Sequence, residues 1–136
     1  MIYPYPARIL VIEDDPNVRE VVTALLASFG YDCQTAADGR SGLVRLGEDE
    51  WDLVLTDLAM PEVSGWELVD AIRQQAPTMP VVVMTGLRDP AVLLRARDCG
   101  VRVIEKPFYV SALKTALVEA LSEKRVLSTP PRWQGV

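Results

Sequence analysis

Apolar residues follow two alternating patterns along the chain. Short runs rich in β-branched residues predict strands, and they cover residues 8–13, 32–36, 52–56, 80–84 and 102–105. After each run, apolar residues recur at intervals of three and four. That spacing predicts helices over about residues 16–29, 40–49, 63–75, 90–99 and 110–121. Strands that alternate regularly with helices favour a parallel sheet covered by helices on both faces.

Unbroken apolar character at residues 53–55 and 81–83 is expected of strands that are covered on both faces. Right-handed crossovers leave few topologies, of which the doubly wound strand order 2-1-3-4-5 is the common small one. The predicted fold is therefore α/β, a doubly wound five-stranded parallel sheet of the flavodoxin-like (βα)5 type. The helical pattern fades after residue 121. We expect residues 1–121 to form the domain and residues 122–136 to be a C-terminal extension or linker stub.

Composition excludes several classes of function, although it adds little about the fold. The 136 residues carry a net charge of −5, so direct binding to nucleic acid or to anionic lipid is disfavoured. No apolar run is long enough to span a membrane, and the first residues do not read as a signal peptide, so a cytoplasmic location is expected. The chain contains no histidine, which excludes Ser-His or Cys-His catalysis and His-ligated zinc. Cys33 and Cys99 are interpreted as small buried apolar residues.

Charged and polar residues collect where the predicted strands end. The first strand ends at Glu13 and Asp14, the third at Asp57, the fourth at Thr85 and the fifth at Lys106. In a doubly wound sheet, ligands bind beyond the carboxyl ends of the strands, at the switch point between the first and third strands. Each residue alone has an ordinary explanation as a turn, a cap or a surface charge. Their joint placement at successive strand ends predicts a site.

Around these positions the chain resembles the receiver domain of two-component response regulators. The matching segments are ILVIEDDP (9–16), LVLTDLAMPEVSGWEL (53–68), VVVMTG (81–86) and IEKPF (104–108). They occur in the order and spacing of that family, over residues 8–121. The resemblance implies a phosphorylation-dependent switch in a two-component phosphorelay. It implies no enzyme activity other than catalysis of its own Mg²⁺-dependent phosphorylation and dephosphorylation.

The resemblance also implies a role for each site residue. Asp57 would accept the phosphoryl group, Thr85 would turn its hydroxyl toward that group, and Lys106 would contact it. The peptide before Pro107 would be cis. The implied Mg²⁺ ligands are all oxygen atoms, from Glu13, Asp14, Asp57 and the backbone carbonyl of Ala59.

The chemistry of these residue types agrees with the resemblance. A carboxylate such as Asp57 is ionised at neutral pH and is a nucleophile that needs no histidine base. Three carboxylates packed together should raise one another's pKa values by repulsion. Mg²⁺, which prefers oxygen ligands, and Lys106 would offset that repulsion. Asp15 is assigned to capping of the first helix, and Trp66 to packing.

The implied partners are a sensor histidine kinase or a histidine phosphotransfer protein, and an output domain or downstream protein. The resemblance also allows a homodimer through the fourth helix, fifth strand and fifth helix.

Where the family usually has an aromatic switch residue, this chain has Val103. Ala59 and Leu87 flank the path of attacking water in the family, and their apolar side chains predict slow dephosphorylation.

Two other functions are alternatives to the switch. A haloacid-dehalogenase-like phosphatase also uses a strand-end aspartate, but it requires a second aspartate two residues later, where this chain has Ala59. A pseudo-receiver would act as a phosphorylation-independent interaction module. Such a module would be expected to lose members of the acid, threonine and lysine set, and all of them are present.

Overall fold

A computed structural model describes residues 6–60, 64–86 and 89–127, with the side chains of residues 124–127 left out. The strands are β1 (Arg8–Ile12), β2 (Asp32–Ala36), β3 (Leu53–Asp57), β4 (Val81–Thr85) and β5 (Arg102–Glu105). The helices are α1 (Pro16–Ser28), α2 (Gly39–Glu48), α3 (Gly65–Gln75), α4 (Pro90–Cys99) and α5 (Val110–Leu127).

The strands form one parallel sheet in the order β2-β1-β3-β4-β5. This confirms the predicted doubly wound fold, and the bounds of most elements lie within one residue of the prediction. Two elements differ more. The third helix begins at Gly65 rather than near Val63, which lies outside the described residues, and α5 continues to Leu127. The prediction that the domain ends at residue 121 stays a prediction.

Two apolar clusters cover the two faces of the sheet. One lies under α2, α3 and α4 and includes Leu10, Val54 and Ile72. The other lies under α1 and α5 and includes Ile9, Leu55 and Leu117. Because side chains alternate between the faces of a strand, Val54 and Leu55 enter opposite clusters. Both are fully buried, and truncation of such a residue to alanine typically costs about 2–5 kcal/mol.

Several helix ends form as their residue types predict. The Asp15 carboxylate accepts a hydrogen bond from the Asn17 backbone N–H at 2.8 Å, with Pro16 at the first helical position. Gly30 and Gly100, at the ends of α1 and α4, have φ values of 92° and 70°. Glycine has no Cβ to oppose that left-handed backbone, which is why both helices end there.

Cys33 and Cys99 are free thiols and only partly buried, so the expectation that they are buried was right only in part.

No helix in the described residues has the length and apolar character needed to cross a bilayer.

Candidate functional site

Strand register brings the polar strand ends together. Ile12 of β1 pairs with Thr56 of β3, so Glu13 follows next to Asp57. Asp57 in turn pairs with Met84 of β4, and Thr85 pairs with Glu105 of β5. Lys106 therefore lies one residue beyond the β4–β5 ladder. Parallel strands with this register place all of these residues at one edge of the sheet, as the sequence predicts.

Backbone hydrogen bonds continue the sheet just past the strand ends. Leu58 N–H donates to the Met84 carbonyl at 2.9 Å, and Lys106 N–H donates to the Thr85 carbonyl at 2.7 Å. On the other side, Glu13 N–H donates to the Ala36 carbonyl at 3.1 Å. The backbone that carries the polar side chains is thus fixed by the sheet. The peptide between Lys106 and Pro107 is cis, as the resemblance implies.

Asp57 is the last residue of β3, and only 6% of its surface is exposed. Its two carboxylate oxygens have different partners. Oδ2 accepts a hydrogen bond from Lys106 Nζ at 2.7 Å, and Oδ1 accepts one from the Ala59 backbone N–H at 2.9 Å. A buried carboxylate requires such partners, because burial without them costs several kcal/mol. The two contacts also fix the direction in which the carboxylate faces.

Two further carboxylates lie beside Asp57. One oxygen from each of Glu13, Asp14 and Asp57 lies within 4.8 Å of the other two. Glu13 is 1% exposed and lies 3.6 Å from Lys106 Nζ, measured from its Oε1. Asp14 is exposed, so the cluster opens toward solvent on its side. The structure therefore groups a lysine with three acids, two of them buried.

The pKa values in this cluster differ from those that simple repulsion between carboxylates predicts. Burial, reinforced by the neighbouring Asp57 carboxylate, raises the pKa of Glu13 to about 8. Burial also opposes ionisation of Asp57. Hydrogen bonds with Glu13, Lys106 and the Ala59 N–H outweigh it and lower the pKa of Asp57. The prediction that repulsion raises all three pKa values was therefore wrong for Asp57.

Lys106 is held in its charged form by the same contacts. Burial alone would lower the pKa of its ammonium group, but the hydrogen bond and charge of Asp57 and the charge of Glu13 raise it. Asp57 remains an anion and Lys106 a cation at neutral pH. The site thus combines an oriented anionic oxygen with a fixed positive charge beside it.

The donor set suits a hard divalent cation. Glu13 Oε2 is buried and makes no hydrogen bond within the part of the chain that the structure describes. Buried polar atoms normally have a partner, so this oxygen has room for one. Mg²⁺ takes carboxylate and carbonyl oxygens and keeps several waters, which fits two buried carboxylates beside an exposed one. The residues present therefore fit the Mg²⁺ that the sequence implied.

Two of the remaining predicted residues, Thr85 and Ala59, lie beside Asp57. Thr85 ends β4, the strand next to Asp57, and is 1% exposed. Ala59 is exposed and contacts Asp57 through its backbone, whereas Leu87 lies outside the described residues. Val103 lies on β5, half buried against the cluster under α4.

Two residues near the site were not anticipated from sequence. Arg19 Nη1 donates a hydrogen bond to the Glu13 carbonyl at 2.8 Å. Gly65 N–H donates to the Leu58 carbonyl at 3.0 Å, and a Cβ added at Gly65 would lie 2.5 Å from that oxygen. For Arg19, the available sequence signal was an arginine six residues after the acidic end of β1. The second depends on a tertiary approach of α3 that no local pattern reveals.

The sheet order and the helices around it define a CheY-like α/β domain of the flavodoxin type. Residues 9–118 match the response regulator receiver domain family, and the chain belongs to that family. Receiver domains are signalling modules that bind Mg²⁺ at an acidic pocket and interact with histidine kinases and output domains.

Named relatives and solved structures agree with this assignment. The chain is 35% identical over 130 residues to the transcriptional regulatory protein GlrR of Escherichia coli K12, covering 95% of this chain and 29% of GlrR. It is 37% identical over 122 residues to the sensor histidine kinase RcsC of Salmonella typhi, covering 89% of this chain and 13% of RcsC. The chain thus spans less than a third of either relative.

Among solved structures, a response regulator receiver domain protein from Clostridium thermocellum superposes with a TM-score of 0.84 at 31% identity, over 89% of this chain and 98% of that one. Chemotaxis protein CheY4 of Vibrio cholerae superposes with a TM-score of 0.79 at 29% identity, over 85% and 98% of the two chains.

Proposed function

We propose that this receiver domain is a phosphorylation-dependent switch in which Asp57 accepts the phosphoryl group. The observation that carries the proposal is the Asp57 carboxylate, anionic, buried and held 2.7 Å from Lys106 Nζ beside two further acids. An oriented carboxylate needs no general base, in agreement with the absence of histidine from the chain. The donor would be a phosphohistidine on a sensor kinase or a phosphotransfer protein.

In the proposed reaction an Asp57 carboxylate oxygen attacks phosphorus in line with the phosphorus–nitrogen bond of the donor. That bond breaks, the imidazole leaves with its electron pair, and a mixed anhydride forms on Asp57. Charge spreads over the phosphoryl oxygens as this happens. Lys106 would stabilise that charge, with the hydroxyl of Thr85 on the adjacent strand end as a further hydrogen-bond donor.

Glu13, Asp14, Asp57 and the Ala59 carbonyl would hold Mg²⁺, which supplies charge neutralisation for phosphoryl transfer. The buried Glu13 Oε2, which makes no hydrogen bond within the described residues, supports this ligand set. Without the cation, the negative charge of the acid cluster repels any incoming phosphoryl group. The domain would catalyse only its own phosphorylation and dephosphorylation.

The proposed output surface is formed by α4, β5 and α5. A groove between them is lined by Leu93, Val103 and Tyr109, and Leu93 and Tyr109 are 53% and 82% exposed. Exposed apolar side chains grouped in one groove are typical of a partner surface. A kinase, an output domain, a downstream protein or a second copy of the chain would bind there, in a cytoplasmic setting.

A phosphorylation-independent interaction module is the alternative function. The experiment that separates the two is incubation of the chain with acetyl phosphate and Mg²⁺, followed by intact-mass measurement. The switch predicts the addition of one acid-stable, base-labile phosphoryl group to wild type and none to Asp57→Asn, because an amide is not a nucleophile here. Absence of the adduct from wild type, or equal labelling of Asp57→Asn, contradicts the proposal.

A further inference from the structure

The acidic loop between β1 and α1 is held by two hydrogen bonds, one at the N–H of Glu13 and one at its carbonyl. Glu13 N–H donates to the Ala36 carbonyl at 3.1 Å, at the end of β2. Its own carbonyl accepts a hydrogen bond from Arg19 Nη1 at 2.8 Å. The first contact belongs to the sheet, whereas the second comes from a long side chain on α1.

The hydrogen bond from Arg19 to the Glu13 carbonyl restricts the orientation of Asp14, the next residue. The peptide group between Glu13 and Asp14 is planar, so a hydrogen bond to the Glu13 carbonyl also restricts the Asp14 N–H and Cα. Asp14 is exposed, and its carboxylate lies within 4.8 Å of those of Glu13 and Asp57. Like charges at that distance push an exposed side chain away, and a fixed peptide limits how far it can move.

Arg19 is itself fixed within the first turns of α1. Its backbone N–H donates to the Asp15 carbonyl at 2.9 Å, and Asp15 caps the helix. Its carbonyl accepts a hydrogen bond from Thr23 Oγ1 at 2.6 Å. The partly buried guanidinium therefore extends from a rigid helix back to the loop that carries two of the three acids.

We infer that Arg19 is a positioning residue that holds the Glu13–Asp14 peptide so that both carboxylates are arranged for Mg²⁺ in advance. The inference rests on the proposed function, since it concerns the same site. Arg19 acts on the backbone of the loop and on no reacting atom. Outer contacts that orient metal ligands typically contribute about 10–100-fold in metal affinity.

The test compares Mg²⁺ titrations of the full chain by amide NMR. Arg19→Met keeps the aliphatic stem and removes every donor. We expect the dissociation constant for Mg²⁺ to rise about tenfold, the lower end of the range for such contacts. Arg19→Lys keeps a donor and the charge, and should bind Mg²⁺ more tightly than Arg19→Met. Arg45→Met, which removes an exposed charge from α2, is the matched control and should bind as wild type does.

A second readout needs no metal. Hydrogen exchange of the Glu13 and Asp14 amides in EDTA should be faster in Arg19→Met than in Arg45→Met, because the loop is no longer held. Amides in the β3–β4 ladder should exchange as in wild type, which shows that the fold is intact. A general loss of stability would instead accelerate exchange throughout the sheet.

Equal Mg²⁺ affinity in wild type and Arg19→Met overturns the inference, as do equal affinities in Arg19→Met and Arg19→Lys. If Arg19→Met does not fold, Arg19→Gln replaces it, because its amide is too short to reach the Glu13 carbonyl. Arg19→Gln should weaken Mg²⁺ binding, and an affinity equal to wild type again overturns the inference. Failure of the proposed function is distinguishable, because wild type itself would then not become phosphorylated.

Discussion

Lys106 Nζ lies 2.7 Å from Asp57 Oδ2, across the carboxyl ends of β3 and β5. These residues are 49 positions apart in sequence, and the fold brings them into direct contact. It joins the Asp57 side chain, which is 8% exposed, to the Lys106 side chain, which is 26% exposed. Removal of either partner leaves the other partly buried and without its main counter-charge.

A double-variant cycle tests this pairing. In EDTA, Lys106→Met should lower the free energy of unfolding by about 1–3 kcal/mol, because the buried Asp57 carboxylate loses its donor. Asp57→Asn should remove most of that loss when the two changes are combined, since the remaining amide carries no charge. Urea unfolding of the four proteins measures the coupling. Strict additivity would show that the two side chains do not interact in solution.

The acid cluster predicts opposite effects of one substitution on stability and on metal binding. Asp14→Asn should abolish measurable Mg²⁺ binding and Mg²⁺-dependent phosphorylation, because a carboxylate ligand is lost. In EDTA the same variant should be slightly more stable than wild type, since one repelling charge is gone. Asp15→Asn is the control, because asparagine also caps helices and Asp15 lies outside the cluster. Undiminished Mg²⁺ titration of Asp14→Asn would exclude Asp14 as a ligand.

Gly65 sets the approach of α3 to the loop that follows Asp57. A Cβ there would lie 2.5 Å from the Leu58 Cα and carbonyl oxygen, so Gly65→Ala must displace backbone. We expect a loss of about 1–3 kcal/mol in the free energy of unfolding, as for other overpacked sites. Gly47→Ala is the matched control, with no atom within 4 Å of the new Cβ, and should gain about 0.5 kcal/mol in a helix. Equal effects in urea unfolding would show that the close approach is absent.

The C-terminal end of α4 is anchored to α3, which predicts where a signal moves the fold. Arg73 on α3 donates hydrogen bonds to the Met79 carbonyl and, at 3.0 Å, to the Gly100 carbonyl just past the end of α4. Val103 has no ring to swing inward, so we expect a phosphorylation-dependent change to pass through the backbone. Amide NMR with Mg²⁺ and beryllofluoride, a phosphoryl mimic, should show the largest remote shifts within residues 86–99. Within that range they should decline toward Cys99.

Smaller shifts are expected around Val103. Arg73→Met should make the shifts at the two ends of α4 more equal, because the anchor is gone. Shifts confined to residues in direct contact with Asp57 would mean that no switch propagates through the domain.

The sheet was predictable because both faces of β3 and β4 are buried, so their apolar runs are unbroken. The length of α5 was not. Its last described turns are held by long-range contacts, since Arg102 on β5 pairs with Glu119 and Glu123. A local pattern of apolar residues does not reveal such pairs. The predicted end of α5, at residue 121, was therefore six residues too early.

The sequence predicted which strand-end residues lie close together, but it did not predict their pKa values. Glu13, Asp57, Thr85 and Lys106 occupy strand ends, and the parallel order alone brings strand ends together. The lowered pKa of Asp57 depends on where the Lys106 ammonium and the Ala59 N–H point. Arg19 was missed for the same reason, because its role depends on the direction of a long side chain.

Identification of the phosphorylated residue tests the central claim most directly. After reaction with acetyl phosphate and Mg²⁺, borohydride should reduce the acyl phosphate to a primary alcohol, which converts that aspartate to homoserine. Peptide mass spectrometry should then find homoserine at position 57 in wild type and nowhere in Asp57→Asn. Homoserine at another acidic residue, or none after confirmed uptake of phosphate, would contradict the assignment of Asp57 as the phosphoryl acceptor.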